Sequence, residues 1–222
     1  MSLDVYVGSL RRYYAGSWQT VVQQSAAFPV SVARGRAPAF ERIQQGLKKA
    51  LRSKGVSACS WDDDESGPYF TDKPGWYGYT ALALLAAHAE HPDFPAPSAV
   101  PERLDLDPAW KASSGTGYFE SSRYQQLLGA ELWLPCDFDL VLFAELLDNN
   151  PIGIGSTHRL LAQLEDLNAR TFQAAPEQRQ RWLESGAEPS ESFTTVARFA
   201  LALFLELARK AVDHRLPMKL DY

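Results

Sequence analysis

Hydrophobic and polar positions sort the chain into periodic stretches, and the most apolar of them runs from Phe193 to Val212. Thr195, Arg198, Ala202, Glu206, Arg209 and Asp213 fall on one narrow stripe at helical spacing. Val196, Phe199, Ala200, Leu201, Leu203, Phe204, Leu205, Leu207 and Val212 cover the rest of the circumference. This pattern predicts a helix packed on most of its sides. A membrane span needs roughly 20 predominantly apolar residues with few charges, and here Arg198, Glu206, Arg209 and Lys210 interrupt the run. The segment reads as a core helix around which the rest of the chain is organised.

Upstream, Leu3–Val7 alternates with period two and predicts a strand with Leu3, Val5 and Val7 inward, ended by Gly8. Leu10, Tyr13, Tyr14, Trp18, Val21 and Val22 recur near helical spacing, with Gly16 and Ser17 splitting the segment. Pro29 to Pro38 is a basic, breaker-rich loop. Phe40, Ile43, Leu47 and Leu51 then draw the stripe of a helix closing at Gly55, with Lys48, Lys49, Arg52 and Lys54 suiting its C-terminal dipole. Thr71 to Pro74 reads as a helix start, with proline at the first helical position and Trp76, Tyr79, Leu82, Leu85 and Ala86 facing inward. Five prolines between Pro92 and Pro108 hold the next stretch extended, so 92–117 is either a strap across the surface or a sub-domain boundary.

Beyond it the pattern predicts a short helix around Tyr124–Leu128 and strands at Glu131–Pro135, Asp139–Phe143, Pro151–Gly155 and Leu216–Leu220. Ser156 caps a helix carrying Leu160, Leu161, Leu164 and Leu167 on one face, and a smaller helix spans Pro176–Glu184. The expected fold is a single α+β domain over residues 1–222. A small, mostly antiparallel sheet is packed by several helices around the central C-terminal hydrophobic one.

Composition narrows the function classes. Net charge is −5, which gives no general attraction to phosphate backbones or anionic lipid and argues against nucleic-acid and membrane partners. Cys59 and Cys136 are too few for a disulfide scaffold. A single bridge between them stays open, and a reduced compartment is the simpler reading. No basic region followed by an apolar core begins the sequence, so a cytoplasmic location is expected.

Several stretches invite chemistry. In the acidic loop after Trp61, Asp62, Asp64, Ser66 and Gly67 match positions of a calcium loop, but Lys73 stands where the bidentate glutamate is needed, so no metal site is expected. A charged edge beside many aromatics suits protein recognition better. The stretch Ile152–His158 is a strand, a turn and a helix N-terminus whose backbone N–H groups suit a phosphate or carboxylate. It has neither the lysine of a P-loop nor the third glycine of a dinucleotide fingerprint. Cys136, His158 and Asp137 or Asp139 contain the parts of a nucleophile, base and orienter, yet a cysteine beside a strand-ending proline is more often a small buried hydrophobe. His88 and His91, three apart on a helix, lack the further ligands of a zinc site and read as helix C-terminal cations.

Leu3–Gly8 with Arg12–Tyr14, Phe70–Trp76, Glu131–Pro135, Ile154–Thr157, His214–Pro217 and Leu220–Tyr222 together resemble a family of uncharacterised bacterial proteins, over most of the chain. In general style such acidic, motif-free α+β proteins are similar to immunity proteins that neutralise bacterial toxins. The leading expectation is a non-enzymatic binding protein without cofactor that meets a basic protein through Trp61, Asp62, Asp63, Asp64, Glu65 and Tyr69. The alternative is a small-molecule enzyme or binder with an anion site at Gly153, Gly155, Ser156 and His158. A structural role in a homo-oligomer is a third reading.

Overall fold

The computed structural model describes residues 2–26, 37–56, 59–61, 63–115, 117–146 and 151–222. Asp62 and residues 29–36 of the basic loop lie outside the described residues. In chain order the elements are β1 (Asp4–Val7), α1 (Leu10–Ala15), α2 (Val21–Ser25), α3 (Ala37–Ser53), β2 (Phe70–Asp72), α4 (Gly75–Glu90), α5 (Pro108–Ser114), α6 (Gln125–Gly129), β3 (Leu132–Leu134), β4 (Leu142–Glu145), β5 (Pro151–Ser156), α7 (Thr157–Arg170), α8 (Pro176–Ser185), α9 (Phe193–Asp213) and β6 (Met218–Asp221). The strands form one mixed sheet in the order β2-β1-β6-β3-β5-β4. Among the described residues only β3 and β5 run parallel; the other pairings are antiparallel. The result is the expected α+β fold, its sheet mostly antiparallel.

Both faces of this sheet are covered. Leu3, Val5, Val7, Trp133, Met218 and Leu220 meet α4, α7 and α9 in the larger core. Leu132, Leu134, Leu142 and Ile154 point the other way, onto Leu10 and Tyr14 of α1 and Phe40, Ile43, Leu47 and Leu51 of α3. Helix α9 is buried on most sides, as its pattern requires. Even Ala202 on the polar stripe is covered, while Arg198 stays exposed with its guanidinium over the rings of Phe172 and Trp182. No helix among the described residues is long and apolar enough to cross a membrane.

The proline-rich stretch lies as a strap on α4 and on the start of α9. Ala99 bridges Ser192, and the Phe193 N–H donates to the Ser98 carbonyl. His88, read from sequence as a helix-terminal cation, is buried and spans the strap. One ring nitrogen lies 3.3 Å from the Phe94 carbonyl and the other 3.2 Å from the Asp107 carboxylate. The Glu90 carboxylate accepts from the Ser113 and Ser122 hydroxyls and the Arg123 N–H, tying the far end of the strap down.

Four expectations are corrected. Phe70–Asp72 is an edge strand paired to β1, and Pro74 precedes α4 instead of opening it, because the ladder to Val5–Val7 satisfies this backbone first. Trp76 faces outward, 42% exposed. Strand β4 begins only at Leu142, since the carbonyls of Asp139 and Leu140 are turned onto the Gln126 side chain. Finally, Cys59 and Cys136 are joined in a disulfide with Cα atoms 5.3 Å apart, an ordinary separation for a bridge, instead of standing as reduced thiols.

Candidate functional site

The loop that leads from Cys59 into β2 is fixed by its backbone as much as by its acids. The Arg12 guanidinium on α1 donates to the Gly67 carbonyl at 2.7 Å and to that of Glu65, and lies 4.9 Å from the centre of the Tyr69 ring. Asp64 accepts from the Ser66 N–H and hydroxyl at 2.9 and 2.6 Å, closing an Asx turn that holds its carboxyl below the usual carboxylate range. The side chains of Asp64 and Glu65 are exposed.

Three members of the predicted surface are engaged within the fold. Asp63 is half-buried, taking the Trp61 indole N–H at 3.0 Å and the Gln44 amide at 2.7 Å. Burial pushes its carboxyl up, against these two hydrogen bonds. Trp61 packs on the smaller core. Tyr69 stacks on buried Tyr6, which also meets Tyr13 and Trp18. Much of the aromatic density near the acidic loop therefore serves as packing beneath it.

At the start of α7 the groups offered to an anion meet protein partners. The Ser156 N–H donates to Gln126 Oε1 at 2.7 Å, and Ser156 Oγ caps the helix by accepting from the Arg159 N–H. Thr157 donates to the Leu134 carbonyl at 3.2 Å, and both residues are fully buried. His158 is exposed on the first turn. The glycines serve close packing. A Cβ on Gly155 would come within 2.9 Å of the Trp133 ring, and one on Gly153 would strike the Gly129 carbonyl and lie 3.0 Å from the Ala130 Cα. Gly153→Ala should therefore cost about 1–3 kcal/mol in a urea melt, because backbone and not a flexible side chain must give way.

The assembled nucleophile does not form. Cys136 is bonded to Cys59, and Asp137 and Asp139 both hold Arg159, at 2.7 and 2.8 Å. Among the described residues no group of three or more His, Cys, Asp or Glu is placed to hold a metal.

Sequence reasoning overlooked one cluster, at the end of the sheet where β1 begins and β6 ends. Asp4 and Asp221 are direct partners across the strands and share a face. Asp221 accepts from the Tyr13 hydroxyl at 2.5 Å. Asp4 is only 7% exposed, and its Oδ1 has no hydrogen-bond partner. The same is true of Thr71 Oγ1, whose residue pairs with Tyr6 and so lies on the same face. Burial raises the Asp4 carboxyl, opposed by the Lys73 ammonium and reinforced by Asp221 and Asp72. A carboxyl raised in the fold favours the folded state only when protonated, so this contribution is present below pH 3.8 and lost as pH rises through the folded value. Asp4→Asn should accordingly raise Tm at neutral pH, with the gain fading as pH falls toward 3.8 in a melting series.

On the opposite face of that sheet end, Trp76 and Tyr222 are 42% and 57% exposed with ring centres 5.1 Å apart. The Tyr222 hydroxyl donates to Glu131 at 2.5 Å; burial first, then this bond, pushes it up to about 12. The missed signal was an odd one: an acid, Asp4, in a strand whose residues are all buried. Compared with known proteins, the chain matches no family model, no curated protein and no solved structure.

Proposed function

We propose that this protein is a binding module, without chemistry of its own, for a basic protein partner, and that the acidic loop of Asp62 to Glu65 is the edge the partner meets first. The observation that supports it is the double clamp of Arg12 on the carbonyls of Glu65 and Gly67. It fixes the loop backbone while the Asp64 and Glu65 side chains stay at the surface, so little ordering entropy remains to be lost on binding. Neutralising a basic toxin is one role such a module serves, in keeping with the immunity-like style of the sequence.

Charge at this edge acts mainly on encounter. Against a confirmed partner, Asp62→Asn, Asp63→Asn, Asp64→Asn and Glu65→Gln combined should slow association at low salt by roughly tenfold and flatten its salt dependence. An unchanged on-rate and salt slope would remove the loop from the account. The anion-site alternative is weakened by the protein groups that occupy the start of α7. A phosphate, nucleotide and carboxylate panel should accordingly leave Tm unshifted, whereas a ligand held there would raise it. A cytoplasmic setting would expose the Cys59–Cys136 bridge to reduction, and a bridge that persists favours an oxidising one. Thiol trapping on intact cells reads both at once.

A further inference from the structure

The strap from Phe94 to Asp107 offers few backbone donors, since Pro95, Pro97 and Pro101 have no N–H. Its middle meets α9 through the bridge of Ala99 to Ser192 and the bond from the Phe193 N–H to the Ser98 carbonyl. Its two ends meet on one side chain, His88 of α4. Nδ1 of the ring faces the Phe94 carbonyl and Nε2 faces Asp107 Oδ2. The other carboxylate oxygen of Asp107 is taken by the Trp110 N–H, as the cap of α5.

Both groups that meet the ring are acceptors. A neutral imidazole has one N–H to donate and an imidazolium has two, so only the charged ring satisfies both contacts. The His88 and Asp107 side chains are 7% and 9% exposed, and a missing proton would leave acceptor facing acceptor in the interior. His88 also lies in the last turn of α4, where the helix dipole favours a cation. The other charged groups around it are engaged or exposed. On α4, Glu90 accepts from the Ser113 and Ser122 hydroxyls and the Arg123 N–H, and His91 lies 4.0 Å from Glu90. On the strap, Arg103 pairs with Asp105, while Asp93 and Glu102 are exposed, as is Lys111 of α5. From α9 the ring meets Phe193.

We propose that His88 is a proton-operated latch: as an imidazolium it clasps both ends of the strap to α4, and loss of one proton releases the stretch 94–107. The neutral ring keeps either Phe94 or Asp107 and turns a lone pair on the other. Opening lifts Val100 and Leu104 from the larger core and bares Phe193 at the start of α9. The latch contribution is present where the ring is charged and is lost as pH rises through the titration of the ring. The Glu90 ties do not use this proton, so residues 113–123 stay fixed. The device goes beyond partner binding and is independent of the acidic loop.

The test is amide exchange of the whole protein at about pH 5.5 and about pH 8.5, expressed as protection so that the intrinsic pH dependence of exchange cancels. Protection of the Phe193 and Asp107 N–H groups should fall roughly tenfold at the higher pH, with Arg123 and Leu203 unchanged. Asp107→Asn separates the proton from the packing. Asparagine still caps α5 through its carbonyl oxygen, and its amide donates to Nε2, so the neutral ring now satisfies both contacts. Protection of Phe193 should therefore reverse and be greater at about pH 8.5. Long-range proton–nitrogen spectra of the wild-type ring need no variant, and should show both nitrogens protonated at about pH 5.5. Equal protection of Phe193 at both pH values in the wild type, an Asp107→Asn variant that keeps the wild-type direction, or a singly protonated ring at about pH 5.5 would each overturn the latch.

Discussion

Replacing Cys59 and Cys136 together by alanine should lower the unfolding free energy by about 4 kcal/mol. The bridge closes a loop across a sequence separation of 77 residues. In the chain-entropy account, most of its effect is to deny the unfolded chain that much freedom. At this chain length a loss of that size should lower Tm by roughly 8–16 °C. A phosphine reductant should produce the same shift in the wild-type protein and none in the double variant, read by differential scanning calorimetry. The bridge also anchors the acidic loop near its root, because Cys59 lies two residues before Trp61 and Cys136 follows β3. Loss of the bridge should therefore accelerate amide exchange at residues 60–69 more than along α9. Equal exchange in both regions would mean that the clamp from Arg12 suffices alone.

Gln126→Leu should cost about 3–5 kcal/mol. The wild-type side chain is fully buried and spends every polar group: Oε1 on the Ser156 N–H, and Nε2 on the carbonyls of Asp139 and Leu140. Its own carbonyl takes the Trp133 indole at 2.8 Å, and its N–H goes to Gln163. Leucine keeps the volume but strands one donor and two acceptors in the interior, which urea denaturation would register directly. Gln126→Glu separates charge from shape: it keeps the acceptor for Ser156 but loses the donors, and at neutral pH it buries an ion. It should be at least as destabilising as leucine, and the deficit should shrink as pH falls and the carboxyl takes up a proton.

How far the sequence disclosed this fold follows from the range of the interactions involved. Helix α9 was legible because 21 residues of 3.6-periodic pattern reflect burial on most sides. The cap of α7 was legible because the Ser156 hydroxyl and the Arg159 N–H it accepts from are three residues apart, whereas Gly153 and Gly155, read as part of a turn, lie within β5 and pack against residues 126–133. Strand β2 was missed because three residues give too short an alternation, and the proline that follows mimics a helix start. The bridge and the Gln126 hub join positions far apart in the chain, so no local window contains both partners.

Strand β1 shows a subtler limit. Alternation at Leu3, Val5 and Val7 marks one buried face correctly, but it assigns Asp4 and Tyr6 to solvent by default. They are buried as well, because α1 and its aromatics cover the second face. The same default hid the Asp4–Asp221 pair and drew attention to the acidic run at 62–65, where charge is dense in sequence but Asp63 is turned inward.

Engagement of a basic protein is the central claim for this molecule. The direct measurement is affinity purification of the tagged protein from a lysate of its source organism at low and high salt. It runs beside a bait carrying the neutralised residues 62–65, with captured proteins identified and their stoichiometry measured. The prediction is one basic protein retained near equimolar amounts by the wild-type bait, reduced by that change, and released by salt from the loop variant first. A stoichiometric partner held equally by both baits, or one that is acidic, would contradict it.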